Sequence, residues 1–525
     1  ILEALGIEAK QSTVRVASAL HGVEYHVSPT GLDGNPGSES RPFRTISAAA
    51  AIAQAGDVVT VHEGVYRERV NPPRGGRSED RRIVYQAAPG EMVVIKGSEI
   101  VKGWSKTEKG VWQVQVPNSF FGDFNPYKDV IGGEWYGTPR DGYNRHTGAV
   151  YLNGDWLDEA PGLEQVLGSV SDRPLWYAKV GQENTSIWAQ FRNCNPNQEL
   201  VEINVRQSIF YPEQAGRNYI TVRGFTLCQA ATPWSGAMSE QIGLIGTHWS
   251  KGWIIENNRI SHSMNTGITL GRYDLGKFGI AMPPATAPGF VQSVELALEH
   301  GWSKEKIGSH VVRHNHISHC EKNGIHGSLG GIFCIIEGNT ICDIAQRGWI
   351  SGPDVAGLKL LGSQDTLIRD NHIYRCAAVG GIWLDWMAQG TRVTGNLLHD
   401  NSQDLFAEVN HGPFLIDNNL FLSPRGLLES CGGGAYVHNL FGCQIRLRAE
   451  KTRETPFHRA HSTQMLGLSK VVGDDERFHN NLFAGYNGLA AYDAWEAVNL
   501  QAAGNVYVGG AKASQYERDA LLLPQ

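Results

Sequence analysis

The most constraining feature of this chain is a ladder of asparagines, each followed within two residues by an aliphatic or aromatic side chain. Successive members are 24, 32, 25, 23, 20, 42 and 24 residues apart. A repeat in this range is typical of a solenoid, in which each unit packs mainly on its two neighbours. The members are Asn315, Asn339, Asn371, Asn396, Asn419, Asn439, Asn481 and Asn505.

The composition of the repeats favours strands over helices. They are rich in Ile, Val, Leu, Phe and Thr, and Gly and Asn interrupt them. We therefore expect an all-β fold, a right-handed parallel β-helix whose coils stack at ~4.8 Å. The ladder asparagines are expected to be structural, tolerating left-handed turns and hydrogen bonding to the equivalent residue one coil away. An alanine-rich run at 47–55 predicts a short N-terminal capping helix.

Four segments follow from this pattern. Residues 1–24 match no coil and are expected to be a leader, and 25–103 form the N-terminal part of the β-helix. Residues 104–215 lack the ladder, are dense in aromatics and carry turn signals and alternating runs, which predicts an inserted β-sandwich. Residues 216–525 form the main body of the β-helix.

Two shorter insertions are expected in the main body. The first, at about 271–309, contains a predicted helix over 291–300. The second, at about 443–476, contains His458 and His461.

Composition excludes several classes of function. The net charge of −7 and the pI near 6.3 argue against nucleic-acid binding. No apolar run is long enough to span a bilayer, and the mean hydropathy is −0.28.

The eight cysteines contain no Cys-X-X-Cys pair, and two of them, Cys320 and Cys376, occupy a position filled by Ile344 in the intervening coil. Buried thiols and the absence of a secretion signal favour a cytoplasmic protein. No cofactor is required, and a structural calcium and a homo-oligomer are left open.

Two carboxylates occupy equivalent positions on adjacent coils. Asp385 lies 11 residues before Asn396, and Glu408 lies 11 residues before Asn419. Alternation along each strand puts both on the outer face, ~5 Å apart, close to the ~5–5.5 Å separation of retaining glycosidases. With no local Lys or Arg, we expect repulsion to keep a proton on one of them near neutrality.

Other polar residues on nearby strands and turns are candidates for lining a groove beside this pair. Asp354 and Lys359 belong to the preceding coil. Trp386 and His411 follow the two carboxylates directly in sequence, and His326 and Asn410 are further candidates.

Longer stretches of the chain resemble one family, the β-xylosidases of glycoside hydrolase family 120. The most specific are Trp383-Leu384-Asp385-Trp386 and Glu408-Val409-Asn410-His411-Gly412-Pro413, and others lie at 24–27, 61–68, 117–122, 201–206 and 301–310. The resemblance runs from about residue 24 to 510 and implies a β-helix with an inserted β-sandwich.

The resemblance also implies roles for individual residues. Asp385 falls on the family's nucleophile and Glu408 on its acid/base. Trp135 falls on a pocket tryptophan, and we expect the insertion to lean over the coils and close the groove. Asp354 falls on a substrate-recognising glutamate, because Pro353-Asp354 stands where the family has His-Glu.

The leading hypothesis is therefore a retaining, exo-acting β-xylosidase that acts on short xylo-oligosaccharides. The alternatives are a β-helix glycosidase of other specificity, such as an α-L-arabinofuranosidase, a polysaccharide lyase, or a non-catalytic glycan-binding solenoid. A lyase needs a calcium cluster and an Arg or Lys base, which these strands do not supply. Inverting hydrolysis needs a wider carboxylate separation.

Overall fold

Repeating coils build most of the molecule. The computed structural model describes residues 22–107, 109–168, 171–495 and 499–524. Three parallel sheets of 14, 13 and 8 strands form a β-helix. The first two run its length, and the third is confined to the coils between Ile245 and Leu447. The leader expected over 1–24 lies outside the described residues as far as residue 21, and the first strand begins at Glu24.

The three sheets are as follows. The first sheet contains Glu24–Val27, Val58–Val61, Ile83–Ala87, Ile220–Arg223, Ile254–Glu256, Val311–Arg313, Ile335–Glu337, Leu367–Arg369, Arg392–Thr394, Phe414–Asp417, Gly434–Val437, Arg477–His479, Gln501–Ala503 and Glu517–Arg518. The second sheet contains Gly64–Tyr66, Val93–Lys96, Thr226–Ala230, Arg259–Ser263, His316–Cys320, Thr340–Ile344, His372–Cys376, Leu397–His399, Leu420–Phe421, Leu440–Phe441, Leu482–Ala484, Val506–Val508 and Leu521–Leu522. The third sheet contains Ile245–Gly246, Thr266–Thr269, Asn323–Ser328, Ala356–Leu361, Ile382–Asp385, Leu405–Glu408, Arg425–Ser430 and Gln444–Leu447.

The asparagine ladder is a continuous chain of side-chain hydrogen bonds. Asn371 Nδ2 donates to Asn396 Oδ1 at 2.9 Å and to the backbone oxygen of Ile336 at 2.9 Å. The same pattern begins one coil earlier than the sequence indicated, at Asn258. The left-handed residue is the one before each asparagine, such as Asp370 with φ 55°, and not the asparagine itself. The asparagine side chains thus serve to bridge neighbouring coils, and the residue before each of them makes the turn.

Apolar side chains stack in register inside the coils. Phe421, Phe441, Phe483 and Tyr507 form one column, with ring centroids 5.0–5.2 Å apart. Cys376 pairs in register with Ile344 and is buried, as the interchange between coils predicts. Parallel strands covered on both faces account for the near-continuous burial of the third sheet.

Helix Ile46–Ile52 lies at the N-terminal end of the solenoid. Thr45 caps it by accepting a hydrogen bond from the backbone N–H of Ala48. Its buried residues, Ile46, Ala49 and Ala50, belong to the same core as the coils. The helix therefore covers the apolar end that an uncapped solenoid would expose.

Two small sheets are formed by the part of the chain that connects the third strand of the first sheet, Ile83–Ala87, to the fourth, Ile220–Arg223. One contains Ser98–Ile100, Val150–Leu152, Asp155–Trp156 and Val201–Asn204, and the other Ser105–Lys106, Trp112–Pro117, Asp158–Glu159, Leu175–Val180 and Asn184–Ala189. They enclose a core of their own that includes Trp104, Phe121 and Trp176. Short helices Asn118–Phe121 and Leu163–Gly168 connect the strands.

The remaining elements lie beside the third sheet or near the C-terminal coils. Helix Ala287–Glu299 starts four residues before the predicted 291–300, because Thr286 caps it and Pro288 is tolerated in its first turn. A hairpin pairs Glu454–His458 with Met465–Lys470. Short 3₁₀ helices span Leu275–Phe278 and Gly488–Tyr492. No helix among the described residues is long and apolar enough to cross a membrane.

Candidate active site

The two candidate carboxylates are neighbours on adjacent strands of the third sheet. Asp385 pairs in register with Glu408, and two residues earlier Trp383 pairs with Phe406. The rings of this aromatic pair stack with centroids 5.3 Å apart. The intervening side chains point into the solenoid core: Ile382, Leu384, Leu405 and Ala407. The alternation read from the sequence therefore matches the strand geometry.

A pocket lies over this part of the third sheet. It holds about 560 Å³ of space including its mouth, within the range of small-molecule sites. Four of the candidate residues line it in addition to the carboxylates: Trp135, Asp354, Lys359 and Trp386. The full lining is Trp135, Ala237, Ala287, Phe290, Pro353, Asp354, Lys359, Leu361, Trp383, Asp385, Trp386, Glu408 and Arg453.

A buried lysine bridges two carboxylates at the pocket floor. Lys359 Nζ lies 2.9 Å from Asp385 Oδ2 and also forms an ion pair with Asp354. It stands over the ring of Trp383, 3.8 Å from the centroid. The expectation that no Lys or Arg lies near the two carboxylates is therefore wrong. Lys359 pairs in register with Trp383, and its long side chain reaches diagonally to Asp385.

Burial and charge together set the ionisation of this floor. Burial raises the pKa of Asp385 to about 7, Lys359 opposes the rise, and the negative charge of Glu408 adds to it. Burial lowers the pKa of Lys359, but the charges of Asp354 and Asp385 outweigh burial and raise it overall. The ionisation of Asp385 therefore depends on the charges of both Lys359 and Glu408.

Glu408 is held by three side chains. Trp383 Nε1 donates to its Oε2 at 3.0 Å. Arg448 Nη2 and Arg453 Nη1 donate to its Oε1 at 2.6 and 3.3 Å. The two arginines come from the segment between the last strand of the third sheet and the hairpin. The sequence carries no periodic signal for them, so sequence reasoning missed both.

A second buried lysine stands behind Asp354. Lys322 Nζ lies 3.9 Å from Asp354 Oδ2 and 4.3 Å from the centroid of the Trp234 ring. Burial lowers its pKa to about 8, with Asp354 opposing the shift. His326, a candidate from the sequence, lies 3.4 Å from Lys322 Nζ and does not line the pocket. Alternating positive and negative groups thus continue below the pocket floor.

Trp135 reaches the pocket from a loop between the insertion's sheets. The backbone N–H of Gly137 donates to Ser351 at 2.8 Å, which attaches this loop to the coil before Asp385. Glu134 accepts hydrogen bonds from Met238 N at 2.5 Å and Ser239 Oγ at 2.9 Å. The insertion therefore contributes a wall of the pocket, as predicted.

A further wall comes from the helix at 287–299. Phe290 packs against Trp386 with ring centroids 5.2 Å apart. The guanidinium of Arg453 also lies over the Trp386 ring, 4.9 Å from its centroid. The helix was predicted from sequence, but its contribution to the pocket was not.

His411 and Asn410 serve the framework around the pocket. His411 Nε2 lies 2.9 Å from the backbone oxygen of Thr455 in the hairpin, and His411 is not among the pocket-lining residues. Asn410 donates to the backbone oxygen of Leu384 and accepts from Ala388 N. The structure therefore does not bring His411 to the predicted substrate contact. No group of three or more His, Cys, Asp or Glu among the described residues is arranged to hold a metal ion.

Comparisons with known proteins identify the family. Residues 101–203 match the model of the glycoside hydrolase 120 insertion domain, and 304–446 match that of the right-handed β-helix region. The solved complex of XylC with xylose is 39% identical, with a TM-score of 0.88, over 95% of this chain and 86% of XylC. The chain belongs to glycoside hydrolase family 120. This membership makes it a glycoside hydrolase and decides against a polysaccharide lyase and a non-catalytic solenoid.

Other matches of this family 120 chain are shorter or more distant. Residues 29–72 match a family model of unknown function, DUF1565. The uncharacterized protein YwoF of Bacillus subtilis (strain 168) is 34% identical over 82 residues, which are 16% of this chain and 17% of YwoF. A family 136 lacto-N-biosidase from Eubacterium ramulus is 12% identical, with a TM-score of 0.43, over 96% of this chain and 68% of that protein.

Proposed function

We propose that this family 120 enzyme is an exo-acting, retaining β-xylosidase that removes terminal xylose from short xylo-oligosaccharides. The observation that carries the proposal is the register pair of Asp385 and Glu408 in the pocket. Its relative XylC, 39% identical, was solved with xylose. Stacked strands separate the two carboxylates by ~4.8 Å, which suits direct attack on the sugar and leaves no room for an intervening water.

Each carboxylate has one role in this mechanism. Ionised Asp385 attacks the anomeric carbon and forms a glycosyl-enzyme ester, while Glu408 donates its proton to the departing oxygen. In the second half, Glu408 takes a proton from water, and the resulting hydroxide displaces Asp385 from the sugar. Each turnover consumes one water, whose hydroxide goes to the sugar and whose proton replaces the one that Glu408 gave to the departing oxygen, and Asp385 is released as a carboxylate.

The pocket walls favour action on chain ends. Trp135 from the insertion and Phe290 from the helix at 287–299 line the pocket together with the carboxylates, and walls of this kind suit a chain end better than a continuous polymer. An aromatic face suits the C–H face of a pyranose, and the polar floor of Asp354 and Lys359 suits its hydroxyls. We assign substrate binding to these residues and to Trp386.

A panel of nitrophenyl glycosides tests the proposal. Nitrophenol release is expected from the β-xyloside and not from the β-glucoside. Comparable or faster release from the α-L-arabinofuranoside would favour the alternative specificity. No release from the β-xyloside, with release from another glycoside, would refute the proposed substrate while leaving the family intact.

A further inference from the structure

Two arginines converge on one oxygen of the proposed acid/base. Arg448 and Arg453 both donate to Glu408 Oε1, while Oε2 accepts the N–H of Trp383. The Arg448 side chain is 49% exposed and that of Arg453 is 25% exposed. Arg453 lines the pocket. The pair therefore stands where Glu408 meets solvent, on the side from which a leaving group would depart.

Charge balance at this position changes during the proposed reaction. Glu408 and Glu450 together match the two arginines, with Arg453 Nη2 3.7 Å from Glu450 Oε2. The acid step requires a proton on Glu408. Each carboxylate oxygen has two lone pairs. Oε1 already accepts from both arginines, whereas Oε2 accepts only from Trp383, so the proton belongs on Oε2. Protonation removes the negative charge that the arginines bind, and the two guanidiniums then share a single carboxylate, that of Glu450.

The pocket floor cannot supply the missing negative charge. Its two carboxylates, Asp354 and Asp385, are matched by two buried lysines, Lys359 and Lys322. Apart from Glu450, the charge that would balance the arginines at this stage therefore comes from solvent or from a bound anion.

The arginines are well placed to bind such a counterion. A guanidinium has five N–H donors in a fixed plane, and among the described residues the side-chain hydrogen bonds of Arg448 use Nη2 alone. Arg448 stands 4.9 Å from the Phe406 ring and Arg453 stands 4.9 Å from the Trp386 ring. These aromatic contacts hold both planes in place. Arg453 also faces Glu450, so the nitrogens of Arg448 other than Nη2 are the donors that a planar carboxylate can reach beside Arg453.

We propose that Arg448 and Arg453 form a subsite for a carboxylate on the leaving group, such as a uronic acid residue of an acidic oligosaccharide. This carboxylate replaces Glu408 as the counterion of the arginines when Glu408 carries its proton. The inference rests on the proposed function, because it uses Glu408 as the acid. It deepens that function by naming the class of leaving group that the site prefers.

A matched pair of substrates tests the subsite. One is para-nitrophenyl β-xyloside, and the other carries a carboxylate on the same ring, ortho to the nitro group. At low salt the enzyme is expected to cleave the carboxylated substrate with a kcat/KM about fivefold higher, the worth of a partly exposed ion pair. The preference should decrease as salt is added.

Arginine variants distinguish binding of the leaving group's carboxylate from a role that is limited to positioning Glu408. Arg448→Ala should abolish the preference, and Arg448→Lys should restore part of it. Arg446→Ala is the matched control and should keep the preference. Arg446 lies on the strand that Arg448 directly follows, but it binds Gln403 instead of Glu408. A preference of one or less in the wild-type enzyme, or one that Arg448→Ala leaves unchanged, would overturn the inference.

A second measurement does not depend on folded variants. Free glucuronate should inhibit the wild-type enzyme several-fold more strongly than glucose does at low salt, and equal inhibition would count against the subsite. Failure of the proposed function has a different signature, because the neutral xyloside would then not be cleaved at all.

Discussion

Lys359 Nζ lies 2.9 Å from Asp385 Oδ2, at the floor of the pocket and almost entirely shielded from solvent. This contact opposes the effect of burial, which raises the pKa of Asp385 to about 7. In the proposed mechanism Asp385 is the nucleophile and must be ionised to attack, so Lys359 would help to set the pH at which the enzyme becomes active.

Removal of that charge should shift the pH profile. In Lys359→Met, the pKa of Asp385 should rise further, because the group that lowers it is gone. Asp385 is then ionised only at higher pH, so the acid limb of the kcat/KM profile should move to higher pH. Lys359→Arg keeps the charge and should move the limb less. A limb that stays in place or moves to lower pH in Lys359→Met would contradict this role.

Variants that lack one of the two carboxylates should lose activity in different ways. Asp385→Ala should lose activity even with excellent leaving groups, because no glycosyl-enzyme can form. Glu408→Ala should still release an activated phenol, and added azide should accelerate turnover and yield β-xylosyl azide. Formation of that azide by the Asp385→Ala variant instead would reverse the assignment.

The anomeric form of the first product reports the mechanism. Adjacent strands hold the carboxylates ~4.8 Å apart, whereas an inverting pair needs ~6.5–9.5 Å. We therefore expect β-xylose first, in proton NMR spectra recorded before mutarotation. If α-xylose appears first, these two residues are not acting as nucleophile and acid/base.

Asp354 should contribute to substrate binding and to the charge balance of the floor. Asp354→Asn keeps the shape but removes the partner of Lys359 and Lys322, and kcat/KM should fall by about 10- to 100-fold, the worth of a charged hydrogen bond. Asp343→Asn is a control, because Asp343 pairs with Arg375 on the outside of the second sheet, and its kcat/KM should be unchanged. Equal kinetics for wild type and Asp354→Asn would restrict Asp354 to a structural role.

The asparagine ladder should be a large source of stability. Asn396→Ala removes the acceptor of Asn371 and the donor to the backbone oxygen of Ile368, and both sites are buried. Leaving such groups unsatisfied should cost about 3 kcal/mol. The midpoint of denaturant unfolding should fall accordingly, while Asn499→Ala, at an exposed asparagine, should leave it unchanged. If Asn396→Ala were as stable as the wild type, the ladder hydrogen bonds would not be a large source of stability.

The sequence predicted the elements whose signal repeats. Spacing from the ladder placed Asp385 beside Glu408, and alternation within each strand placed Trp383 above Phe406, as the register shows. Coil-to-coil exchange of Ile344 for Cys376 predicted a buried thiol. These features were accessible because in a solenoid each residue mainly contacts its equivalents one coil away, so a count along the chain is also a distance in space.

The sequence was less informative wherever residues come from outside the repeat. Trp135 was placed in the pocket through resemblance to the family. Phe290 and Arg453 reach the pocket from two insertions without periodicity, and neither was expected there. His411 was expected at the substrate, but its contact with the backbone of Thr455 directs it to the hairpin.

The sequence by itself thus determined the coils, their register and the stacking of the two carboxylates, because these depend on local strand propensity and on contacts between equivalent positions. Only the tertiary structure decided which charges surround them. Lys359 reaches Asp385 from a diagonal position, and Arg448 reaches Glu408 from a non-repeating segment. Such contacts depend on the paths of insertions and on the reach of long side chains, and no spacing along the chain encodes either.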